Sequence, residues 1–462
     1  MPIEPEIGGR KVLVVGLARS GVAAARLCAA HGARVTVTDR RAATELAGAV
    51  HELGKAGVSF ALGGHDERDF TSADLVVVSP GVPLSLPEIG EARRQGVPIL
   101  GEVELAWRFS SAVPLVAITG TNGKSTTTAL AGALFQEDRR AFVGGNLGTP
   151  LSEYPLSGRP VDVVVAELSS FQLEGIERLR PAVAAVLNVT PDHLDRYRDV
   201  EDYALAKARL FANQQGGDFA VANARDPRAV AMAGASRAGL VTFGFGEPSP
   251  RSVRDPSGDP GGAVVYTPAS GVPEKYLLRT RALRGRHNRE NAMAAVACAR
   301  LLGVPGPAVQ GGLDEFPGLP HRLELVAERG GVEWVNDSKA TNVDSTQVGL
   351  AAFPAGRPSV VLVLGGRGKR APYAPLRALF AGRVKALLTI GEDAPAIERE
   401  LGGQCPTESC GDLAGAVLRA SRLAGPGDVV LLSPACSSYD QFKNYEERGE
   451  AFRRLVQELP RP

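Results

Sequence analysis

The stretch Ala117-Ile118-Thr119-Gly120-Thr121-Asn122-Gly123-Lys124-Ser125-Thr126-Thr127-Thr128 limits what this chain can fold into more than any other. A mostly apolar run from Val113 to Ile118 reads as a buried strand, two glycines permit a tight turn, and a helix opens at Ser125. A strand, a glycine turn and a helix in that order cradle a polyphosphate. Loop N–H groups and the positive end of the helix face the anion, and Lys124 adds a point charge. Ser125 would offer its hydroxyl to a Mg²⁺ on the same phosphates. Ile118 stands where the strict G-x-x-x-x-G-K-[ST] pattern has its first glycine, so a plain strand–turn–helix corner is the competing reading.

A chain of 462 residues exceeds one ordinary core and implies about two to four domains. The net charge of +1 gives no electrostatic case for a nucleic-acid or acidic-membrane partner. Met1 to Arg10 holds no signal-peptide core and no apolar run reaches membrane-spanning length, so a cytoplasmic protein is expected. Cys28, Cys298, Cys405, Cys410 and Cys436 are scattered and lack a C-x-x-C pair. They read as reduced packing thiols rather than disulfides or zinc ligands.

In chain order, Lys11 to Gly16 is a strand, Gly16-Leu17-Ala18-Arg19-Ser20-Gly21 a turn, and Val22 to Ala30 a helix. A second strand, Arg34 to Thr38, ends at Asp39-Arg40-Arg41, the opening of a nucleotide-binding βαβ unit. Ala18 replaces the glycine at which backbone approaches a pyrophosphate, which weakens an NAD site and leaves another nucleotide, or none, open. Leu75 to Ser79 is a buried strand ending in Ser79-Pro80-Gly81, and Glu102 to Phe109 a short helix closing the first domain. After the glycine loop come strands Ala141 to Gly144, Val161 to Ala166 and Val183 to Leu187, and a helix from Tyr203 to Phe211 carrying Lys207. Gly246 to Lys275 is rich in Pro, Gly, Ser and Asp and reads as an extended hairpin or surface loop with one strand, Ala263 to Tyr266. A helix is expected from Arg289 to Leu302, and a boundary at Phe316-Pro317-Gly318-Leu319-Pro320. Beyond it, strands Val332 to Val335, Val360 to Leu364, Ala386 to Ile390 and Val429 to Leu432 each run into polar turns, and a last helix spans Ser438 to Gln457. Three α/β domains result, 1–110, 111–317 and 318–462.

Glu167, at the end of an aliphatic strand, suits a loop-bound Mg²⁺, although a solvated carboxylate is the commoner fate of a glutamate. His193 and Lys207 say little alone, because Mg²⁺ prefers oxygen and helical lysines are usually solvated. Asn336-Asp337-Ser338-Lys339-Ala340-Thr341-Asn342 suits either a site loop or a helix cap, and His321, Arg322 and Lys369 supply cations in the same domain.

Together the strings GTNGKST, GGNLG, ELSSFQLE, NVTPDHLDRY, GRHN, LPHRLE, NDSKATN and LSPACSSYDQF, with GLARSG and SPGVP near the start, resemble the Mur ligases over almost the whole chain. The resemblance implies a Rossmann-like N-terminal domain for a UDP-linked substrate, a central P-loop ATPase-like domain, and a C-terminal Rossmann-like domain that binds an amino acid and closes on ATP. It implies an ADP-forming ligase that activates the carboxylate of UDP-N-acetylmuramoyl-L-alanine as an acyl phosphate. D-glutamate attacks, and a tetrahedral intermediate then expels phosphate. ATP and Mg²⁺ are the implied cofactors, small molecules the only implied partners, and a monomer the expected state. Carried over by position, Gly120, Thr121, Asn122, Gly123, Lys124, Ser125 and Thr126 hold phosphates. Ser125, Glu167, His193 and a carbamylated Lys207 hold metal. Asn288 and Asn291 contact adenine, and Arg322, Asp337 and Lys339 contact ATP and the acyl phosphate. Thr341, Lys369, Ser438 and Tyr445 hold D-glutamate, Asn146 and Ser169 the muramoyl-alanine arm, and Ser20, Arg41, Ser79 and Gly81 the uridine diphosphate. Tyr445 stands where the family pattern has phenylalanine, and Arg40 where a smaller polar residue is familiar. The competing readings are a folylpolyglutamate-synthase-like glutamate ligase, which does not account for NDSKATN, and a nicotinamide-dependent oxidoreductase or a non-catalytic ATP-binding module.

Overall fold

The computed structural model describes residues 6–110, 113–257, 262–369 and 371–460. Three sheets organise them. In the first, five parallel strands lie in the order Ser59–Leu62, Arg34–Asp39, Lys11–Val15, Leu75–Val78, Ile99–Gly101. The order reverses at Lys11–Val15, and the turn after that strand, Gly16 to Gly21, opens the helix Arg19–Ala30. Ligands of open parallel sheets bind beyond such a reversal. Gly21 is obligatory there, because a Cβ would run into the carbonyl of Gly16.

The second sheet has nine strands. Its centre is parallel, with Leu115–Thr119 between Val163–Glu167 and Val183–Val186, Ala141–Gly145 on the edge, and Phe219–Asn223 and Gly239–Phe245 continuing the other side. Strands Val163–Glu167 and Val183–Val186 are buried along their whole length, as sheets covered on both faces require. Gly246 to Lys275, expected as an extended hairpin or surface loop with one strand, takes the hairpin form, and its described residues extend this sheet by more than that one strand. Ser252–Asp255 pairs in parallel with Gly239–Phe245, and Ala263–Thr267 and Glu274–Leu277 follow antiparallel. The turn residues that dominate its composition hid short strands that only pairing stabilises.

The third sheet has six strands in the order Glu324–Arg329, Val332–Asn336, Val429–Leu432, Val360–Gly365, Val384–Ile390, Thr407–Gly411, parallel except for the first. Its core divides between the two faces, with Leu362, Leu364 and Leu431 on one and Val361, Val363, Val430 and Leu432 on the other.

By packing, the described residues divide into two compact units, one drawn from 6–257 with 262–277 and 290–313, the other from 278–289 and 314–460. Within the first unit, the Ile99–Gly101 strand and the helix Glu102–Arg108 are bolted to the nine-stranded part. Glu104, fully buried, accepts the backbone N–H groups of Glu177, Arg178 and Leu179 and the Arg108 guanidinium, and Gly101 N–H donates to Gly175 C=O at 2.9 Å. Several helix ends differ from the sequence reading. Asp199 caps a helix Val200–Ala208, followed by a single 3₁₀ turn to Phe211, and the helix expected from Arg289 begins at Arg286. The last helix starts at Tyr445, capped by Asn444, rather than at Ser438. An asparagine cap outranks the weaker signal of a polar run.

Candidate active site

The glycine loop leaves the strand Leu115–Thr119 with Gly120 at φ 155° and Gly123 at φ 85°, and the helix runs Lys124–Gln136, one residue earlier than expected. Gly123 is left-handed, and a Cβ there would collide with Asn291 Oδ1. The loop is pinned from the next strand's end by Asn188, the first residue of the NVTPDHLDRY string, to which the sequence reading gave no role of its own. Asn188 C=O accepts Thr121 N–H at 2.9 Å, its Oδ1 accepts Asn122 N–H at 2.8 Å, and its Nδ2 donates to Asn122 C=O at 3.1 Å. Thr121 Oγ1 donates to Thr190 C=O and accepts from Thr190 N–H. Asn188 follows directly on a buried strand, a signal the sequence carried. Thr127 Oγ1 donates to Asn291 Oδ1 at 3.2 Å, so one of the two asparagines expected at adenine also braces the loop. Asn288 Nδ2 donates to the carbonyls of Ala282 and Arg284.

Two lysines converge on one carbonyl. Lys124 Nζ donates to Gly120 O at 2.9 Å and Thr121 O at 2.8 Å, and Lys207 Nζ donates to Gly120 O at 3.0 Å. Lys207 is not the solvated lysine that helical position alone suggests; it is fully buried, with its ammonium 4.3 Å from the centre of the Tyr203 ring. Burial first, and then the charge of Lys124, lower its pKa to about 7 against a small opposing pull from Asp192. A lysine so placed is largely neutral just above pH 7 and is a usable nucleophile for small electrophiles.

Glu167 ends the strand Val163–Glu167 directly beside Ile118 and is 2 % exposed. Asn146 N–H donates to its C=O, and Asn146 Nδ2 donates to its Oε1 at 2.7 Å. Oε2 is buried without a hydrogen-bond partner. A buried carboxylate oxygen left unsatisfied next to a phosphate loop fits an oxygen ligand for a hard cation. His193 lies on the exposed turn after Asn188, in a left-handed conformation (φ 54°), with its ring 4.8 Å from that of Phe171 and 6.0 Å from that of Tyr203. Since Lys207 packs on Tyr203, His193, Lys207 and the loop share one corner. Among the described residues no cluster of three or more His, Cys, Asp and Glu forms a preassembled metal cage. A metal here would therefore lean on phosphate oxygens for much of its shell.

On the five-stranded sheet, Ser79 Oγ donates to Gly16 C=O at 2.9 Å, and Asp39 accepts Leu17 N–H and a forked contact from Arg41. Burial works to raise the Asp39 pKa, but the bonds from Arg41 and Leu17 hold it down to about 2. Arg41 thus emerges as an oriented, half-exposed guanidinium at the strand ends, and Ser20 lies in the first turn of the helix after Gly16. Gly81 sits in the turn following Ser79. Ser169, expected against substrate, spends its hydroxyl as the cap of the helix Ser170–Glu174. Arg196 stacks 4.0 Å over Phe171, pairs with Glu174 at 2.6 Å and reaches Pro80 C=O at 3.4 Å, joining the His193 turn to the Ser79–Gly81 turn.

In the second unit, Asn336 to Lys339 follow a central strand. Asp337 accepts Ser433 Oγ at 2.7 Å and Leu323 N–H at 3.2 Å, and burial pushes its pKa up to about 7. The neighbouring Arg322 charge opposes that rise, and Arg322 Nε is buried without a partner. Lys339 Nζ reaches Tyr445 Oη at 3.2 Å. The hydroxyl that departs from the family pattern therefore faces the loop lysine. Ser438 is buried and Lys369 exposed, on the turns after two adjacent strands, and Thr341 lies just past Lys339. His321, expected as a cation, is buried against Asn336, and that burial lowers its pKa against the opposing pull of Glu324 and Glu450.

The geometry is that of a nucleotide-dependent enzyme built on three α/β sheets. The chain belongs to the Mur ligase family. Family models match in sequence order: the Mur ligase MurD-like N-terminal domain at residues 10–101, the Mur ligase middle domain at 118–299, and the Mur ligase glutamate ligase domain at 321–436. A UDP-N-acetylmuramoylalanine–D-glutamate ligase of Anaeromyxobacter dehalogenans is 73% identical over 99% of both chains, and one of Myxococcus xanthus is 54% identical over 98% of this chain and 99% of its own. Among solved structures, the fold resembles UDP-N-acetylmuramate-alanine ligase MurC of Thermotoga maritima (TM-score 0.60, 21% identity, 97% of this chain and 99% of that one). It also resembles MurF of Acinetobacter baumannii (TM-score 0.62, 16% identity, 96% and 93%). Among the described residues no helix is long and apolar enough to cross a membrane.

Proposed function

We propose that this chain joins D-glutamate to the alanyl carboxylate of UDP-N-acetylmuramoyl-L-alanine, with ATP converted to ADP and phosphate. The observation that carries the reading is 73% identity over nearly the full length to a ligase so named. Identity of that extent makes a different acceptor, such as a folate, the weaker alternative, and the oxidoreductase reading leaves the glycine loop without a task.

The domains take the tasks expected of 1–110, 111–317 and 318–462. The protein's work is positioning and charge neutralisation, because transfer of a phosphoryl group asks little covalent chemistry of it. The loop N–H groups from Thr121 to Thr126 and the Lys124 ammonium hold the β- and γ-phosphates. Ser125, Glu167 through its partnerless Oε2, His193 and Lys207 in carbamylated form are the residues that would hold Mg²⁺. The ion would supply neutralisation of phosphate and carboxylate charge. A neutral Lys207 amine can add to CO₂ through its nitrogen and release one proton to solvent, which replaces the amine with an anionic, carboxylate-like ligand. Arg41, Ser20, Ser79 and Gly81 take the uridine diphosphate, Asn146 and Ser169 the muramoyl-alanine arm, and Asn288 and Asn291 the adenine. Arg322, Asp337 and Lys339 would contact ATP and the acyl phosphate, and Thr341, Lys369, Ser438 and Tyr445 would hold D-glutamate, whose two carboxylates call for cations and hydroxyl donors. Phosphate release from ATP that requires both UDP-N-acetylmuramoyl-L-alanine and D-glutamate is expected; release driven by a folate acceptor, or by none, refutes the reading.

A further inference from the structure

We propose that Arg448 is a positioning residue for this ligation, clamping together the loops that receive ATP and D-glutamate. The inference rests on the assignment of those loops made above.

Arg448, in the helix Tyr445–Glu458, is 1% exposed and heads the fully buried side chains by volume. A guanidinium that deep normally faces a carboxylate. Among the described residues Arg448 has no carboxylate at ion-pair distance, and its partners are all on two loops. Nε donates to Ser338 Oγ at 3.0 Å and Nη2 to Ser338 C=O at 2.9 Å; Nη2 also donates to Cys436 C=O at 3.1 Å and Nη1 to Ser437 C=O at 3.4 Å. A third loop is pressed against it, since a Cβ on Gly366 would come within 3.2 Å of Nη1.

These loops leave the carboxyl ends of three neighbouring strands, Val332–Asn336, Val429–Leu432 and Val360–Gly365. They carry Asp337 and Lys339, Ser438, and Lys369 respectively. Five N–H donors in a rigid plane can satisfy several carbonyls from two loops at once, in a fixed geometry that one lysine ammonium does not offer. Burial lowers the pKa to about 10, so the group keeps its charge at neutral pH. A fixed cation therefore lies beneath loops that must gather phosphate and two carboxylates.

Arg448→Met and Arg448→Lys, in the full chain, test the clamp by ADP formation and by hydrogen exchange. The KM values for ATP and for D-glutamate should both rise, roughly 10- to 100-fold in Arg448→Met and less in Arg448→Lys. That for UDP-N-acetylmuramoyl-L-alanine should stay within about twofold. In the unliganded protein, amides of 337–339 and 435–438 should lose protection together in Arg448→Lys, which carries the test if Arg448→Met does not fold. A variant that melts lower but leaves both KM values and the loop protection unchanged overturns the proposal, as does an equal rise in all three KM values. Failure of the reaction itself would show in the wild type, as no ADP formed, whereas the exchange experiment judges the clamp without it.

Discussion

Lys207→Met removes a buried ammonium while keeping an unbranched side chain of similar length. In the folded protein the lysine pKa falls from 10.5 to about 7. At about 1.4 kcal/mol per pH unit, that is roughly 5 kcal/mol against the charged form. Because the folded value lies below the unfolded one, the unfolded chain binds more protons between them. This residue's contribution to stability therefore rises with pH from about 7 to 10.5, and below pH 7 its full cost is present. The variant lacks that slope. Set against the cost is the bond from Nζ to Gly120 C=O, worth about 1–2 kcal/mol, and the contact with Tyr203. Net, the ligand-free variant should be more stable than wild type by about 2–4 kcal/mol at pH 6.5, with the advantage gone near pH 10. Urea denaturation of both proteins across that range, in buffers stripped of CO₂, reads the difference directly. Turnover of the variant should meanwhile fall at least about a hundredfold. A stability difference that does not change with pH would refute the argument, since it would mean the lysine is no more burdened by burial in the folded state than in the unfolded one.

Lys124→Ala should abolish ADP formation while leaving the melting temperature within a few degrees, because the Nζ bonds to the loop carbonyls of Gly120 and Thr121, at 2.9 and 2.8 Å, are to groups that water can also satisfy; near-wild-type turnover would remove it from phosphate binding. Gly123→Ala forces a Cβ into Asn291 at a left-handed φ, so a loss of about 1–3 kcal/mol in stability and a raised KM for ATP are expected by thermal melting and steady-state kinetics. Glu104→Ala strips the acceptor from three consecutive backbone N–H groups and from Arg108. It should cost about 3–5 kcal/mol in urea denaturation, far more than an exposed glutamate would.

Much of the candidate site was legible because its residues cluster at strand ends, and strand ends are visible as apolar runs that stop. Glu167 and the loop from Gly120 to Thr126 were singled out this way, as was the polar stretch from Asn336, whereas Asn146 came from the family pattern. The family pattern then supplied Lys207, whose helix alone argued for a solvated position. Other features were hidden for particular reasons. Asn188 braces the loop across 66 residues of sequence, and Glu104 reaches backbone groups 73 to 75 residues away. No periodicity reports a partner at that distance. The strands between Gly246 and Lys275 are short, and their composition favours turns.

By itself the sequence determined that this chain carries a glycine loop of the kind that cradles a polyphosphate, that polar residues follow its strands, and which family it resembles. These are local properties, set by residue type and spacing along a few turns of chain. Tertiary structure alone decided the electrical state of the site. Only folding buries Lys207 against the Lys124 charge, lifts Asp337 to a pKa of about 7 and lowers the pKa of His321 by burial. Burial and the distance between charges are properties of packing, and the same residues in an extended chain would titrate at their ordinary values.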